Sequence, residues 1–141
     1  MGCVLCDTDG GTPIHRAAQW RVIRADDPAF PAFYRVVWNA HVAEFSDLCA
    51  ADRVECMDVV ALVEQVLRDQ LQPTKINLAA LGNQVPHLHW HVIARFAADS
   101  HFPDPVWSAP HRAADPAALE LLRQRLPALD ALLQARLAAR G

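Results

Sequence analysis

Residues 86–96, PHLHWHVIARF, constrain the fold more than any other stretch of the chain. From His87 to Val92, polar and apolar residues alternate one for one. In an extended strand successive side chains point to opposite faces. His87, His89 and His91 then line one face, and Leu88, Trp90, Val92, Ala94 and Phe96 line the other. In a helix the same residues would scatter around the axis, because helical neighbours lie three and four apart. The spacing therefore predicts a strand over 87–96 with an apolar back and a histidine front. Pro86, which lacks a ladder donor, can only open it.

The rest of the chain supplies partners for that strand. Residues 14–16, 20–24 and 33–38 carry the aromatic and β-branched residues of strands. The segment 75–81 reads as a further strand, placing Lys75, Asn77 and Ala79 on one face, with a turn at Gly82-Asn83 and an antiparallel partner in 87–96. Between them, residues 49–72 form the main helix. Cys56, Val59, Val60, Val63, Leu67 and Leu71 recur at three- and four-residue steps, Asp52 suits the N-terminal dipole, and Pro73 stops the helix. Asp115-Pro116 opens a C-terminal helical region that Pro127 should break or kink. The expected class is α+β: an antiparallel sheet of about five strands, a long central helix and a C-terminal helical region. Residues 1–141 form one domain, with a core over about 3–107 and an extension over 108–141.

Composition narrows the function. With 13 basic and 16 acidic residues the net charge is −3, which argues against a long nucleic acid as partner. No apolar run reaches the roughly 18 residues of a membrane helix. The N-terminus MGCVLCDTDGG is not a signal peptide, and Cys6 stands where the myristoylation pattern prefers Ser or Thr. A cytoplasmic location is expected, without a membrane partner. Cys49 and Cys56 are expected as reduced core or near-core residues. Cys3-x-x-Cys6 suggests metal or redox chemistry more than a disulfide. The four tryptophans read as core or interface, His101 and His111 as surface residues, and Lys75 or Arg95 as candidate charges near the site. By themselves, three strand-borne imidazoles fit either a metal site or phosphoryl chemistry.

The run His87-Leu88-His89-Trp90-His91-Val92-Ile93 resembles the motif of the histidine triad (HIT) family. Trp38-Asn39-Ala40-His41, followed by Phe45-Ser46-Asp47-Leu48, is similar to the family's upstream strand, histidine and helix start. The likeness covers roughly residues 3–107. It implies a HIT-like fold and a nucleotide hydrolase or nucleotidyl transferase that cleaves at the α-phosphate of dinucleoside polyphosphates or nucleoside phosphoramidates. It further implies a covalent nucleotidyl intermediate on His89, with His91 donating to a phosphate oxygen or the leaving group and His87 supporting. Asn77, Asn83 and Gln84 are the implied substrate contacts, although Gln84 stands where many members carry a small hydroxyl residue. Val22, Ile23 and Phe33 are candidates for a base pocket. A structural zinc on Cys3, Cys6, His41 and His87, no organic cofactor, a small nucleotide partner and a homodimer complete the implied set. Two alternatives belong to other classes: a slow nucleotide-binding sensor, and a zinc-stabilised interaction module whose histidines are all ligands.

Overall fold

The structure, a computed structural model, describes residues 2–141. Nine elements follow in chain order. They are α1 (Val4–Asp7), β1 (Thr12–Arg16), β2 (Trp20–Arg24), β3 (Phe33–Trp38), a 3-10 turn (Phe45–Asp47), α2 (Ala50–Leu71), β4 (Lys75–Ala79), β5 (His89–Arg95) and α3 (Pro116–Arg140). The strands make one antiparallel sheet in the order β1-β2-β3-β5-β4. The expected α+β architecture is therefore the observed one.

Both long helices share one side of the sheet. Trp20 and Val22 of β2, Tyr34, Val36 and Trp38 of β3, and Val92 and Ala94 of β5 meet the buried stripe of α2 (Cys56, Val59, Val60, Val63, Val66, Leu67 and Leu71). The predicted helical stripe is present, with Val66 added. Leu88, Trp90 and Phe96 also belong to this side, so the apolar back of the histidine segment is where the alternation puts it. Val22 lies in this core, on the side away from the histidines, which removes it as a base-pocket residue. α2 ends with Gln72 in the left-handed region (φ 50°), its N–H on the Arg68 carbonyl, immediately before Pro73. Gly82 takes a positive φ of 75° in the predicted turn, a conformation glycine adopts without strain.

α3 departs from expectation, running unbroken through Pro127. Pro127 faces solvent, whereas Leu126, Leu129, Leu133 and Leu137 are buried on the opposite side. A helix-interior proline costs about 3 kcal/mol. Four buried leucines contribute on the order of 6–12 kcal/mol at about 1.5–3 each, so packing outweighs the missing donor. Polar pins add to it. Asp115 caps the start by accepting from the Ala117 N–H at 3.0 Å. Asp130 accepts from the Tyr34 hydroxyl at 2.6 Å and from Arg24 Nε at 3.0 Å. Arg140 pairs with Glu55 and Asp58 of α2. Burial and the Asp130 contact push the Tyr34 hydroxyl's pKa well above its ordinary value. Cys49, expected in or near the core, is instead exposed just before α2, while Cys56 is buried, where desolvation raises its thiol to about 11.

Candidate active site

The sheet face away from α2 and α3 carries His89 and His91. In antiparallel register, residues directly opposite one another point the same way. Arg35 of β3 lies opposite His91 of β5, and Val37 opposite His89. On the other flank Ala79 of β4 lies opposite His91, and Asn77 opposite Ile93. His89, His91, Arg35 and Asn77 therefore project from one surface. β5 starts at His89, so His87 precedes the strand rather than lying in it. It is fully buried, at 0% exposure, and not on a solvent-reachable front.

Each imidazole has its protons assigned by its neighbours. A backbone carbonyl only accepts, so the ring nitrogen facing it carries hydrogen. His87 Nε2–H donates to the Trp38 carbonyl at 2.6 Å, leaving Nδ1 with a lone pair. His89 Nδ1–H donates to the His87 carbonyl at 2.6 Å, leaving the Nε2 lone pair of a half-buried ring unengaged. Arg35 Nε donates to His91 Nδ1 at 3.3 Å, so the neutral ring keeps its hydrogen on Nε2. The two rings meet edge to face with centroids 4.9 Å apart. A lone-pair nitrogen and an N–H donor thus stand side by side. Burial lowers the pKa of His89. Burial, then the His89 and Arg35 charges, lower His91 to about 3, so both rings are neutral near pH 7. A pocket of about 230 Å³ opens beside His89, lined in part by Glu44, Phe45, Leu81, Gly82 and Trp90.

His91 is enclosed by residues of distant origin. Phe33 meets its ring at 5.5 Å and Trp107 at 5.0 Å, both edge to face. Trp107 is 50% exposed and belongs to this site rather than to the core. The signal for Arg35 was a single charge inside the otherwise apolar run Phe33–Trp38. For Trp107 no local pattern pointed to the site. Arg95 is not a free cation. At 1% exposure it forms a two-pronged pair with Asp99, and its Nη1 donates to Asn77 Oδ1 at 2.9 Å. Asn77 thus shares the histidine face with its carbonyl oxygen engaged. Asn83 and Gln84 are exposed in the loop before β5 and make no hydrogen bond to the three histidines. Lys75 is exposed, and its amine donates to the Ile76 carbonyl. His101 is half-buried against Phe30 and Ser100, while His111 is exposed and paired with Asp104.

A second cluster sits behind His87. The ligand atoms of Cys3, Cys6, His41 and His87 all lie within 4.8 Å of one another. Cys3 Sγ and Cys6 Sγ are 3.4 and 3.5 Å from His87 Nδ1, Cys6 Sγ is 3.4 Å from His41 Nδ1, and the two Nδ1 atoms are 3.2 Å apart. Tetrahedral zinc, about 2.0–2.1 Å from nitrogen and about 2.3 Å from sulfur, sets edges of about 3.3 Å between nitrogens and about 3.6 Å from nitrogen to sulfur. The cluster has those edges. His87 also has the outer hydrogen bond that metal-ligating histidines make. Of the three alternating histidines only His87 belongs to this group. The reading in which all three are ligands has no second cluster among the described residues.

An open antiparallel sheet backed by a long helix, with alternating imidazoles on its free face, defines a histidine-triad domain. The family model for the HIT domain matches residues 13–98, and the chain belongs to the histidine triad family. Histidine triad proteins from Bradyrhizobium japonicum and Sinorhizobium meliloti are each 29% identical, with a TM-score of 0.70. Both alignments cover 86% of this chain, and 89% and 88% of those proteins respectively. One from Marinobacter aquaeolei shares the fold at 22% identity and a TM-score of 0.69, over 89% of this chain and 92% of that one. No curated protein matches the chain.

Proposed function

We propose that the chain is a nucleotide hydrolase or nucleotidyl transferase acting at an α-phosphate through His89. The hydrogen bond from His89 Nδ1 to the His87 carbonyl carries this reading, because it holds the proton away from Nε2 and leaves a nucleophile. Nε2 attacks phosphorus, the nitrogen–phosphorus bond forms, and the leaving group departs with the electrons of its own bond. The Nε2–H of His91 donates to an oxygen of the reacting phosphate, whose negative charge grows as the bonds rearrange. Water then attacks the same phosphorus, the electron pair returns to Nε2, a proton leaves to solvent, and a nucleoside monophosphate is released. Two easier steps replace one difficult one. Dinucleoside polyphosphates and nucleoside phosphoramidates are the substrate classes in view. Asn77, Asn83 and Gln84 contact the substrate in this reading, and Phe33 and Ile23 line the base side of the same sheet face.

Cys3, Cys6, His41 and His87 hold zinc in this proposal, on the strength of their tetrahedral spacing. The ion's contribution is structural: it ties the N-terminal turn to His87. The His87 carbonyl, held by that residue's buried ring, keeps its aim on His89. A cytoplasmic homodimer belongs to the same proposal. None of the four cysteines is in a disulfide, and exposed Leu78 on edge strand β4, with Val54 on α2, offers apolar surface to a second copy.

The deciding experiment traps the adduct. The full-length protein is mixed with an adenosine phosphoramidate or a dinucleoside polyphosphate, quenched in base, and its peptides are mapped by mass. The expected product is an adenylyl group on His89, absent from His89→Ala, whose turnover falls by more than the roughly 10²–10⁴ of a single acid–base group. An adduct elsewhere, or an unchanged rate in folded His89→Ala, overturns the assignment.

A further inference from the structure

We infer that Arg35 forms an anion subsite on the leaving-group side of His91, so that the preferred leaving group carries a phosphate of its own. The inference rests on the reading of His89 as nucleophile and adds a substrate preference to it. Arg35 sits on the central strand β3, directly opposite His91 and diagonal to His89, about 7–8 Å away by strand geometry. Its guanidinium has five N–H donors in a fixed fork. Only Nε is engaged, on His91 Nδ1 at 3.3 Å. Nη1 and Nη2 meet no hydrogen-bond or ion-pair partner among the described residues. The carboxylate with most influence on Arg35 is that of Asp27, but its Oδ1 already accepts from the Ala29 and Phe30 N–H groups, at 2.9 and 3.2 Å. The cation lies 5.2 Å from the Phe33 ring centroid and is half-buried.

The Arg35 Nη groups are not sealed from solvent, so the fork is open to an incoming anion, and two parallel N–H groups suit a phosphate. By contrast, the two buried arginines, Arg21 and Arg95, have their forks filled. Arg21 donates to the carbonyls of Leu5, Thr8 and Asp9, and Arg95 to Asp99 and Asn77. A polyphosphate chain whose α-phosphorus is at His89 Nε2 passes His91 and reaches the Arg35 fork. The chemistry of departure agrees. A phosphate leaves as a stable anion and needs no proton, whereas an amine must be protonated. His91, with a pKa near 3, is a hydrogen-bond donor and not an acid at neutral pH.

The test compares two substrates with the same adenylyl half. One is an adenosine phosphoramidate with an uncharged amine as leaving group. The other is a dinucleoside polyphosphate. Full-length wild type, Arg35→Met and Arg35→Lys are assayed for kcat/KM on both. Removing one charge-assisted contact lowers the ratio of polyphosphate to phosphoramidate kcat/KM by about 10- to 100-fold in Arg35→Met, and Arg35→Lys recovers part of it. If Arg35 only sets the His91 tautomer, both substrates lose rate together; an unchanged ratio overturns the subsite. If wild type turns over neither substrate, the catalytic reading fails separately. Calorimetry with inorganic triphosphate then decides the subsite: binding to wild type lost in Arg35→Met supports it, and equal or absent binding overturns it.

Discussion

Replacing Asp99 by alanine should unlock the loop that carries Trp107 to His91. Asp99 accepts from Arg95 Nε at 2.9 Å and Nη2 at 3.0 Å, and from the backbone N–H groups of Phe96, His101 and Phe102 at 3.1, 3.0 and 2.7 Å. Burial pushes the Asp99 carboxyl up, but the Arg95 guanidinium and the three N–H groups together outweigh it and hold it below the usual carboxylate range. The pair is nearly dry, with side-chain exposures of 1% for Arg95 and 9% for Asp99. Without the carboxylate, Arg95 keeps only Asn77 and the faces of Phe30 and Phe102. Stranding a buried charge in this way costs about 3–5 kcal/mol. A domain's total stability is about 5–15 kcal/mol. An unfolding entropy of about 2.1 cal/mol/K per residue over 141 residues converts that loss to a fall in Tm of about 10–17 °C. Urea and thermal unfolding of Asp99→Ala, with Arg95→Met/Asp99→Ala as control, measure it. The double variant should be more stable than the single one, because it removes the stranded charge. A loss under about 1 kcal/mol, the worth of an exposed pair, would refute the reasoning.

Two further predictions follow from the histidines. Zinc should co-purify at near one equivalent per chain, and Cys3→Ser should lower it sharply; less than a tenth of an equivalent in wild type prepared without chelator would end the metal assignment. His91, with its pKa lowered to about 3, binds its proton more weakly in the folded state than in the unfolded chain. Its contribution to stability is therefore complete above the unfolded value near 6.5 and is lost as pH falls toward 3. Urea midpoints from pH 7.5 to 4 should fall less steeply for His91→Gln than for wild type; parallel curves would show that His91 is not desolvated.

What the chain disclosed in advance was whatever depended on near neighbours. The alternation of His89 to Val92 fits an extended strand, and the α2 stripe repeats every three or four residues, so both stood in the sequence. Pro127 carries a local cost that predicts a break, but the buried leucines on either side of it outweigh that cost. The alternation continues through His87 and so includes it in the strand, yet its ring turns away toward two cysteines more than 80 residues earlier. Arg35 and Trp107 reach His91 from 56 residues before and 16 after, through strand register and a loop tied by Asp99. No periodicity encodes such meetings. Four of the implied residues nevertheless converge on one cluster whose ligand atoms lie within 4.8 Å of one another, the most nonlocal feature the family resemblance anticipated.

His87 presents its ring to the thiols and its carbonyl to His89, one residue facing two ways. A blow to the N-terminal turn, such as alkylation of a thiol, would travel through a single peptide unit to the aim of the His89 ring. The N-terminal turn, short as it is, would then be the footing of the proposed nucleophile.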